Sequence, residues 1–169
     1  MMKKTIISVI VGMSLMTSVF AAPGAQETPM NLDADAAIFS VTVPSTMQIH
    51  VDENGVVTTP SVVTIVNNSS APVIVTNVEV TKATSGTWDI VDFNTDMLRE
   101  KLGTKKVGIK INECETDSSG IFQFNTLNFP SINGSESLAL TYDAVVPTQK
   151  TVIADTDIAK VTFTIGWDE

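Results

Sequence analysis

The chain has 169 residues, of which 19 are acidic and 10 are basic, giving a formal net charge of −9. This balance argues against a protein that binds nucleic acid or an anionic membrane through positive charge. The single cysteine, Cys114, excludes an intramolecular disulfide, and the length suits one domain that buries a core without covalent staples.

The first 21 residues have the layout of a secretory signal peptide. Lys3 and Lys4 form a basic start, an apolar stretch without charges follows from about residue 6, and small residues close it at Ala21. The apolar stretch is shorter than the roughly 20 residues of a membrane-spanning helix. We therefore expect cleavage after Ala21 and a secreted protein, extracellular or at the cell surface, with no membrane insertion after cleavage.

Residues 22–37 are predicted to form a flexible leader, because the stretch is polar, contains proline and lacks clear alternation. Removal of the signal peptide leaves 8 basic and 19 acidic residues, so the mature net charge is −11. The folded domain is expected to occupy residues 38–169.

Apolar and polar residues alternate along most of this domain, which predicts half-buried antiparallel strands. Clusters of Gly, Asn, Ser and Pro separate them, and the class we expect is all-β, a single antiparallel immunoglobulin-like or jelly-roll β-sandwich. The alternating stretches are FSVTV (39–43), MQIHV (47–51), VGIKI (107–111), IFQFN (121–125), SLALTYDAV (137–145) and AKVTFTIGW (159–167).

One stretch departs from the alternation and predicts a short helix. In NTDMLREKLG, residues 94–103, Asn94 or Thr95 would cap the helix, Leu98 and Leu102 lie four apart, and Gly103 would end it.

The last alternating stretch predicts a core strand at the C-terminus and not a frayed tail. Its apolar residues fall at every second position, so the tryptophan completes a buried row: Ala159, Val161, Phe163, Ile165 and Trp167.

Catalytic motifs are missing from the sequence, and we expect no enzymatic activity. A His-dependent triad or a multi-His metal site would have only His50 to draw on. His50 falls on the polar face of its strand beside Gln48, which favours a solvated surface histidine. Cys114 stands between Glu113 and Glu115, which disfavours a thiolate and favours a small buried residue.

No cofactor is expected, with calcium as a weak alternative, because acidic clusters could supply oxygen ligands while solvated loops explain them equally well. The clusters are Glu113, Glu115 and Asp117; Asp33 and Asp35; and Asp52, Glu53 and Asn54. Glycosylation sequons at Asn67, Asn68 and Asn133 are expected on exposed loops.

Four stretches resemble a loose group of secreted bacterial β-sandwich surface proteins, most of which have no assigned activity. The resemblance covers residues 38–169, nearly the whole mature domain. The stretches are IFSVTVPSTMQIHVDENGVVTT, TIVNNSSAPVIVTNVEVT, TWDIVDFNTDM and VTFTIGWDE.

A weaker similarity is to the WxL cell-wall-binding domain, whose two Trp-x-Leu motifs are implied to contact peptidoglycan. The matching positions are Trp88-Asp89-Ile90 and Trp167-Asp168-Glu169, and the second departs from the motif by ending in glutamate. An exposed Trp88 would favour this function, whereas a buried Trp88 would remove the best candidate contact.

The chain is also similar to pilin and fimbrial subunits, in its signal peptide, its mature size and its N-terminal extension before a β-sandwich. Such subunits polymerise by adding a strand of one protomer to the sheet edge of the next. Leu32, Ala34, Ala36 and Ile38 lie at spacing two and are the candidate self-assembly strand. The chain departs from these subunits in lacking a disulfide pair and in having its last strand.

The function expected from the sequence is therefore that of a secreted non-enzymatic surface protein with a structural or adhesive role, with a fibre or pilus subunit as its specific form. The alternative is a WxL-like module that binds cell-wall glycan. The corresponding partners are a second copy of the chain, in a homopolymer, or the glycan.

Overall fold

The computed structural model describes residue 30, residues 32–59 and residues 62–169. The chain divides into two compact units, Met1–Asp35 and Ala36–Glu169. The predicted signal peptide, residues 1–21, lies outside the described residues. Of the first unit, only residue 30 and residues 32–35 are described, and they are exposed and form no regular structure. The second unit begins two residues before the domain start expected at residue 38.

The second unit is an all-β domain, which confirms the class that the alternation predicts. Strands take 37% of the described residues and helices 4%, and no described helix reaches seven residues. The strands are β1 Val41–Thr42, β2 His50–Val51, β3 Val57–Thr58, β4 Val63–Asn67, β5 Val73–Lys82, β6 Asp89–Ile90, β7 Lys106–Ile111, β8 Cys114–Glu115, β9 Ser137–Leu140, β10 Tyr142–Val145 and β11 Ala159–Trp167.

The described strands form several sheets, and all pairs but one are antiparallel. β4 lies between β1 and β9, while β7 lies between β10 and β6 and also pairs with β8. β11 pairs with β5, β2 pairs with β3, and the parallel pair is β6 with β7. Several antiparallel sheets around one core place the domain in the sandwich-like class.

The apolar faces of the sheets share one hydrophobic core. Val73 and Val75 of β5, Ile65 of β4, and Val107 and Ile111 of β7 have no exposed surface. Burying a side chain of this kind stabilises the fold by roughly 1.5–3 kcal/mol relative to leaving it in water. The period-two pattern is therefore what brings the sheets together.

A tight turn joins β7 to β8. Its residue Asn112 bonds to Thr141, where the chain passes from the sheet of β4 to the sheet of β7. Asn112 and Glu113 have φ angles of 46° and 64°, the left-handed conformation that a two-residue hairpin turn requires. The side-chain oxygen of Asn112 accepts the backbone N–H of Thr141 at 2.8 Å, and the backbone N–H of Asn112 donates to the Thr141 carbonyl at 2.9 Å. Because Thr141 separates β9 from β10, these bonds fix the chain where it leaves one sheet for the next.

Asn67 is a buried polar side chain and not the exposed sequon that the sequence predicts. Its exposed fraction is 0%, and its amide nitrogen donates to the carbonyls of Ala71, Ile132 and Asn133 at 2.9–3.1 Å. Its side-chain oxygen accepts the N–H of Ser69 at 2.9 Å. The amide satisfies the backbone of two loops that cross here, which is why a polar group is tolerated inside the domain.

The predicted short helix shrinks to one 3-10 turn, Met97–Arg99. Its cap is Asp96, whose carboxylate accepts the N–H of Leu98 at 3.2 Å, and not Asn94 or Thr95. Leu98 is 83% exposed, so no apolar stripe packs on the sheets to stabilise further turns. A second 3-10 turn at Thr126–Asn128 has no counterpart in the predictions.

The stretch IFQFN does not form the strand that its alternation predicts. Phe122 is buried and makes an isolated bridge to Thr116, and Phe124 packs on Phe129 with ring centroids 5.3 Å apart. The carboxylate of Asp117 accepts the N–H of Ile121 at 3.0 Å, which bends the backbone at the start of the stretch. Here the alternation reflects the burial of apolar side chains, and the backbone does not form the repeated hydrogen bonds of a strand.

Candidate functional site

β11 and β5 form a two-stranded antiparallel sheet whose apolar residues share one face. The alternation of β11 places Val161 opposite Val80 and Phe163 opposite Val78. The register shifts between Thr164 and Ile165, where the extra residue is Thr76 of β5, so β11 itself stays regular. The prediction of a C-terminal strand packed against the core is confirmed, and the strand is nine residues long.

The two strands of this sheet are buried to very different extents. On β5, Val78 and Val80 expose only 2% and 6% of their surface. Their partners Phe163 and Val161 on β11 are half-buried, and so is Trp167. The fully buried row expected along β11 is thus only partly covered, because no described strand lies on the side of β11 away from β5.

The outer edge of β11 has no strand partner in the described chain. In an antiparallel pair, every second backbone N–H and C=O points away from the neighbouring strand. Among residues 32–59 and 62–169, no backbone group bonds to these outward groups of β11. Natural proteins usually shorten, cover or charge such edges, whereas β11 runs for nine residues and carries one charge, Lys160.

A cavity of about 1510 Å³ lies beside β11, and we call it the β11 cavity. Residues 44–54 and residues 148–158 border it. Pockets for small ligands typically span about 300–1,000 Å³, so this space is large enough for a peptide segment. Its apolar lining includes Ile49, Trp88, Ile109, Ala144, Val161 and Phe163.

The rim of the β11 cavity contains the turn between β2 and β3. The carboxylate of Asp52 accepts the N–H groups of Val56 and Asn54 at 2.8 and 2.9 Å. The bond from Val56 is the main reason why the pKa of Asp52 lies below its usual value. His50 is exposed, as its position on the polar face of the strand predicts, and also borders the cavity.

The candidate self-assembly residues are exposed and belong to no strand. Leu32 exposes 91% of its surface and Ile38 exposes 80%, and Met30, two positions before Leu32, exposes 98%. Large apolar side chains at this exposure have no contact that offsets their hydration. The alternating row at Leu32, Ala34, Ala36 and Ile38 is therefore left without a covering surface in this structure.

The WxL-like residues occupy three different environments. Trp88 is 3% exposed and packs in the core, so its indole offers no outer face to a polymeric ligand. Asp89 is exposed and pairs with Lys82, whose hydrogen bond is the main reason why the pKa of Asp89 is lowered. Ile90 is half-buried against the core. At the second motif, Trp167 is half-buried.

Several of the residues considered for calcium are engaged with other groups. Glu113 and Glu115 both pair with Lys110, at 2.8 and 3.3 Å, and raise the pKa of Lys110. Asp117 accepts the N–H of Ser119 at 2.8 Å within its own loop. In the part of the chain that the structure describes, no group of three or more His, Cys, Asp or Glu side chains could hold a metal ion.

Cys114 is 3% exposed and its sulfur is a hydrogen-bond acceptor. The backbone N–H of Asn125 and the side-chain amide of Asn128 both donate to the sulfur at 3.3 Å. Cys114 therefore behaves as the small buried residue that the sequence predicts, and it fastens the loop around residues 125–128 to β8.

Two parts of the site were not identified from the sequence. The free edge of β11 could not be found because alternation does not reveal which strands pair. Residues 148–158, which border the cavity, could have been singled out by length. They lie in the connection of 13 residues between β10 and β11, which is long for a compact domain.

Among the described residues, no helix has the length and apolar character needed to cross a membrane. Comparisons with protein-family models, with curated proteins and with solved structures found no match to this chain.

Proposed function

We propose that this chain is a secreted, non-enzymatic protein of the cell surface with a structural or adhesive role, and that it acts as a self-associating subunit such as a fibre subunit. The observation that carries this proposal is the unpaired nine-residue edge of β11 beside a large cavity whose lining includes apolar side chains. Edges of this kind add strands from other chains, with backbone hydrogen bonds supplying affinity and side-chain pockets supplying specificity.

Glycan binding through a WxL-like surface is the weaker candidate. Its best contact, Trp88, is buried, and the second motif position, Trp167, packs against Phe39. Sugars stack on exposed aromatic faces, whereas both of these indoles pack against other residues of the domain. A protein that associates through its sheet edge needs no such exposed ring.

The test of the proposed function measures the mass of the purified mature chain, residues 22–169, by size-exclusion chromatography with light scattering over a broad concentration range. The account expects oligomers larger than a dimer that form reversibly or resist detergent without boiling. A strictly monomeric chain at every concentration would contradict the proposal.

A matched pair of double variants tests whether the free edge is responsible. Thr162→Glu with Thr164→Glu places negative charges on the exposed face of β11, which should repel a strand added by this acidic protein. The control, Asn77→Glu with Thr81→Glu, places the same charges on exposed positions of β5. We expect the β11 variant to lose its oligomers and the β5 variant to keep them.

A further inference from the structure

We propose that the strand added to β11 is formed by residues 30–38 of a second copy of this chain, with alternate side chains entering the β11 cavity. We call residues 30–38 the donor segment. This inference rests on the proposed function, since it identifies the partner of the same free edge.

The lengths of the two partners agree. The donor segment has nine residues, and β11 has nine residues from Ala159 to Trp167. At roughly 3.3 Å per residue, each spans about 30 Å when extended. The donor segment can therefore pair with the whole free edge without a bulge or an overhang.

The faces of the two partners agree as well. Every second residue of the donor segment is apolar: Met30, Leu32, Ala34, Ala36 and Ile38. In an added strand these side chains would lie on the same sheet face as Val161 and Phe163, over the apolar lining of the β11 cavity. The contact would cover both the half-buried row of β11 and the exposed Leu32 and Ile38.

The opposite faces have complementary charge. Between the apolar positions of the donor segment stand Asp33 and Asp35. In an added strand they would lie on the outer face with Lys160, Thr162 and Thr164 of β11. When all nine residues pair, Asp33 and Asp35 lie opposite Thr162 and Thr164, and one of the two carboxylates is the diagonal neighbour of Lys160, the one charge on β11. Such pairs select the partner and its register more than they add affinity.

The partner is a second copy because the chain does not close its own edge in this structure. Residues 36–38, which belong to the same unit as β11, are exposed and form no strand. Pairing between copies leaves one donor segment and one free edge at the two ends of any chain of subunits. That head-to-tail arrangement can grow into a fibre.

The test compares two double variants of the mature chain by light scattering. Ala34→Glu with Ala36→Glu puts two charges on the face that would enter the cavity, whereas Asn31→Glu with Ala37→Glu puts the same charges on the opposite face, where one of them would lie opposite Lys160. Donor positions 34, 36 and 37 are exposed and outside any strand, so these changes should leave the β domain intact. We expect the inward variant to weaken association at least tenfold and the outward variant to associate like the unmodified chain.

The outcomes separate this inference from the proposed function. If the unmodified chain forms oligomers and both variants do so equally, the assignment of the donor segment as the added strand is wrong, whereas the proposed self-association stands. If the unmodified chain is monomeric, the proposed function fails. If it is monomeric and its β11 amides exchange faster only in the inward variant, the segment closes its own edge and the second-copy proposal is overturned.

The acceptor is located with a synthetic peptide of residues 28–39 added to the inward variant, which keeps its free edge. Hydrogen exchange should slow at the amides of β11, and the same peptide carrying the two inward glutamates should have no effect. Protection confined to another strand, or equal protection by both peptides, would overturn the assignment of the β11 cavity.

Discussion

The rings of Phe39 and Trp167 meet edge to face, with centroids 5.0 Å apart and planes at 87°. Phe39 directly follows the donor segment, and Trp167 ends β11. Ser40, which follows Phe39 in the chain, makes two hydrogen bonds to the β domain. Its N–H donates to the Ser69 hydroxyl at 2.9 Å, and its carbonyl accepts the N–H of Asn68 at 2.8 Å. The donor segment therefore leaves the β domain from a fixed point beside one end of the free edge.

The contact between these rings should contribute measurably to stability. Trp167→Ala is expected to lower the free energy of unfolding by about 2 kcal/mol, because a half-buried indole is lost from the core. A double-mutant cycle with Phe39→Ala should give a coupling of about 0.5–1.5 kcal/mol, which is typical of aromatic pairs. Urea unfolding followed by circular dichroism measures both, and zero coupling would show that the contact contributes nothing.

Asn67 should be among the most sensitive polar positions in the domain. Asn67→Ala removes the amide that satisfies three backbone carbonyls and is expected to destabilise the fold by about 3 kcal/mol, since buried carbonyls would lose their donors. Asn67→Asp should cost at least as much, because a carboxylate would face the same carbonyls.

The neighbouring residue provides the control for Asn67. Asn68 is exposed, and its side chain donates to the Thr42 hydroxyl at 3.0 Å. Asn68→Ala should change the free energy of unfolding by less than about 1 kcal/mol in the same urea titration. Equal losses at the two positions would mean that the buried amide has no special role.

How far the sequence predicts this structure depends on which residues carry a local signal. The period-two row from Ala159 to Trp167 predicts both the strand and its inward face, because burial on one side of a sheet imposes that period. The same rule fails at Phe122, which is buried, and at Phe124, which is half-buried, because neither forms a strand: alternation reports burial and not hydrogen bonding. Asn67 was misplaced for a related reason, because a sequon says nothing about the carbonyls around it.

Only one of the two parts of the candidate site could be predicted from the sequence. Leu32, Ala34, Ala36 and Ile38 could be singled out because their spacing is local. The surface that could receive them depends on strand order, in particular on β11 having a partner on one side only. Strand order is set by contacts between residues far apart in the chain, such as Phe163 with Val78, and the alternation of a single strand carries no record of them.

Acid should weaken the domain partly through Asp52. The folded pKa of Asp52 lies below its ordinary value of 3.8, so its contribution is present above that pH and is lost as the pH falls through the folded pKa. Asp52→Asn should therefore reduce the difference in urea midpoint between neutral pH and pH values below about 4. An unchanged difference in the variant would contradict this assignment.

A suitable comparison for Asp52 is its neighbour Glu53. In the described part of the chain, the structure records no hydrogen bond to the Glu53 carboxylate, whereas Asp52 accepts two from its own turn. Glu53→Gln should thus leave the acid dependence of the urea midpoint close to that of the unmodified protein. Equal effects of the two substitutions would point to overall charge rather than to the turn.

Export should remove the first 21 residues. The protein collected outside the cell is expected to begin with Ala22, followed by Pro23 and Gly24, and its intact mass should correspond to residues 22–169. N-terminal sequencing together with mass spectrometry checks this result. A product that begins at Pro23, or one that retains Met1, would show that the predicted cleavage position is wrong.

The central claim, that copies of this chain assemble through the free edge of β11, is tested most directly on the protein from its native surface. Surface extracts are separated by detergent gel with and without boiling and probed with an antibody to the β domain. The account predicts a ladder of high-mass bands that collapses to one monomer band on boiling, because added strands dissociate only when the sheet unfolds. A single monomer band in both lanes would contradict it.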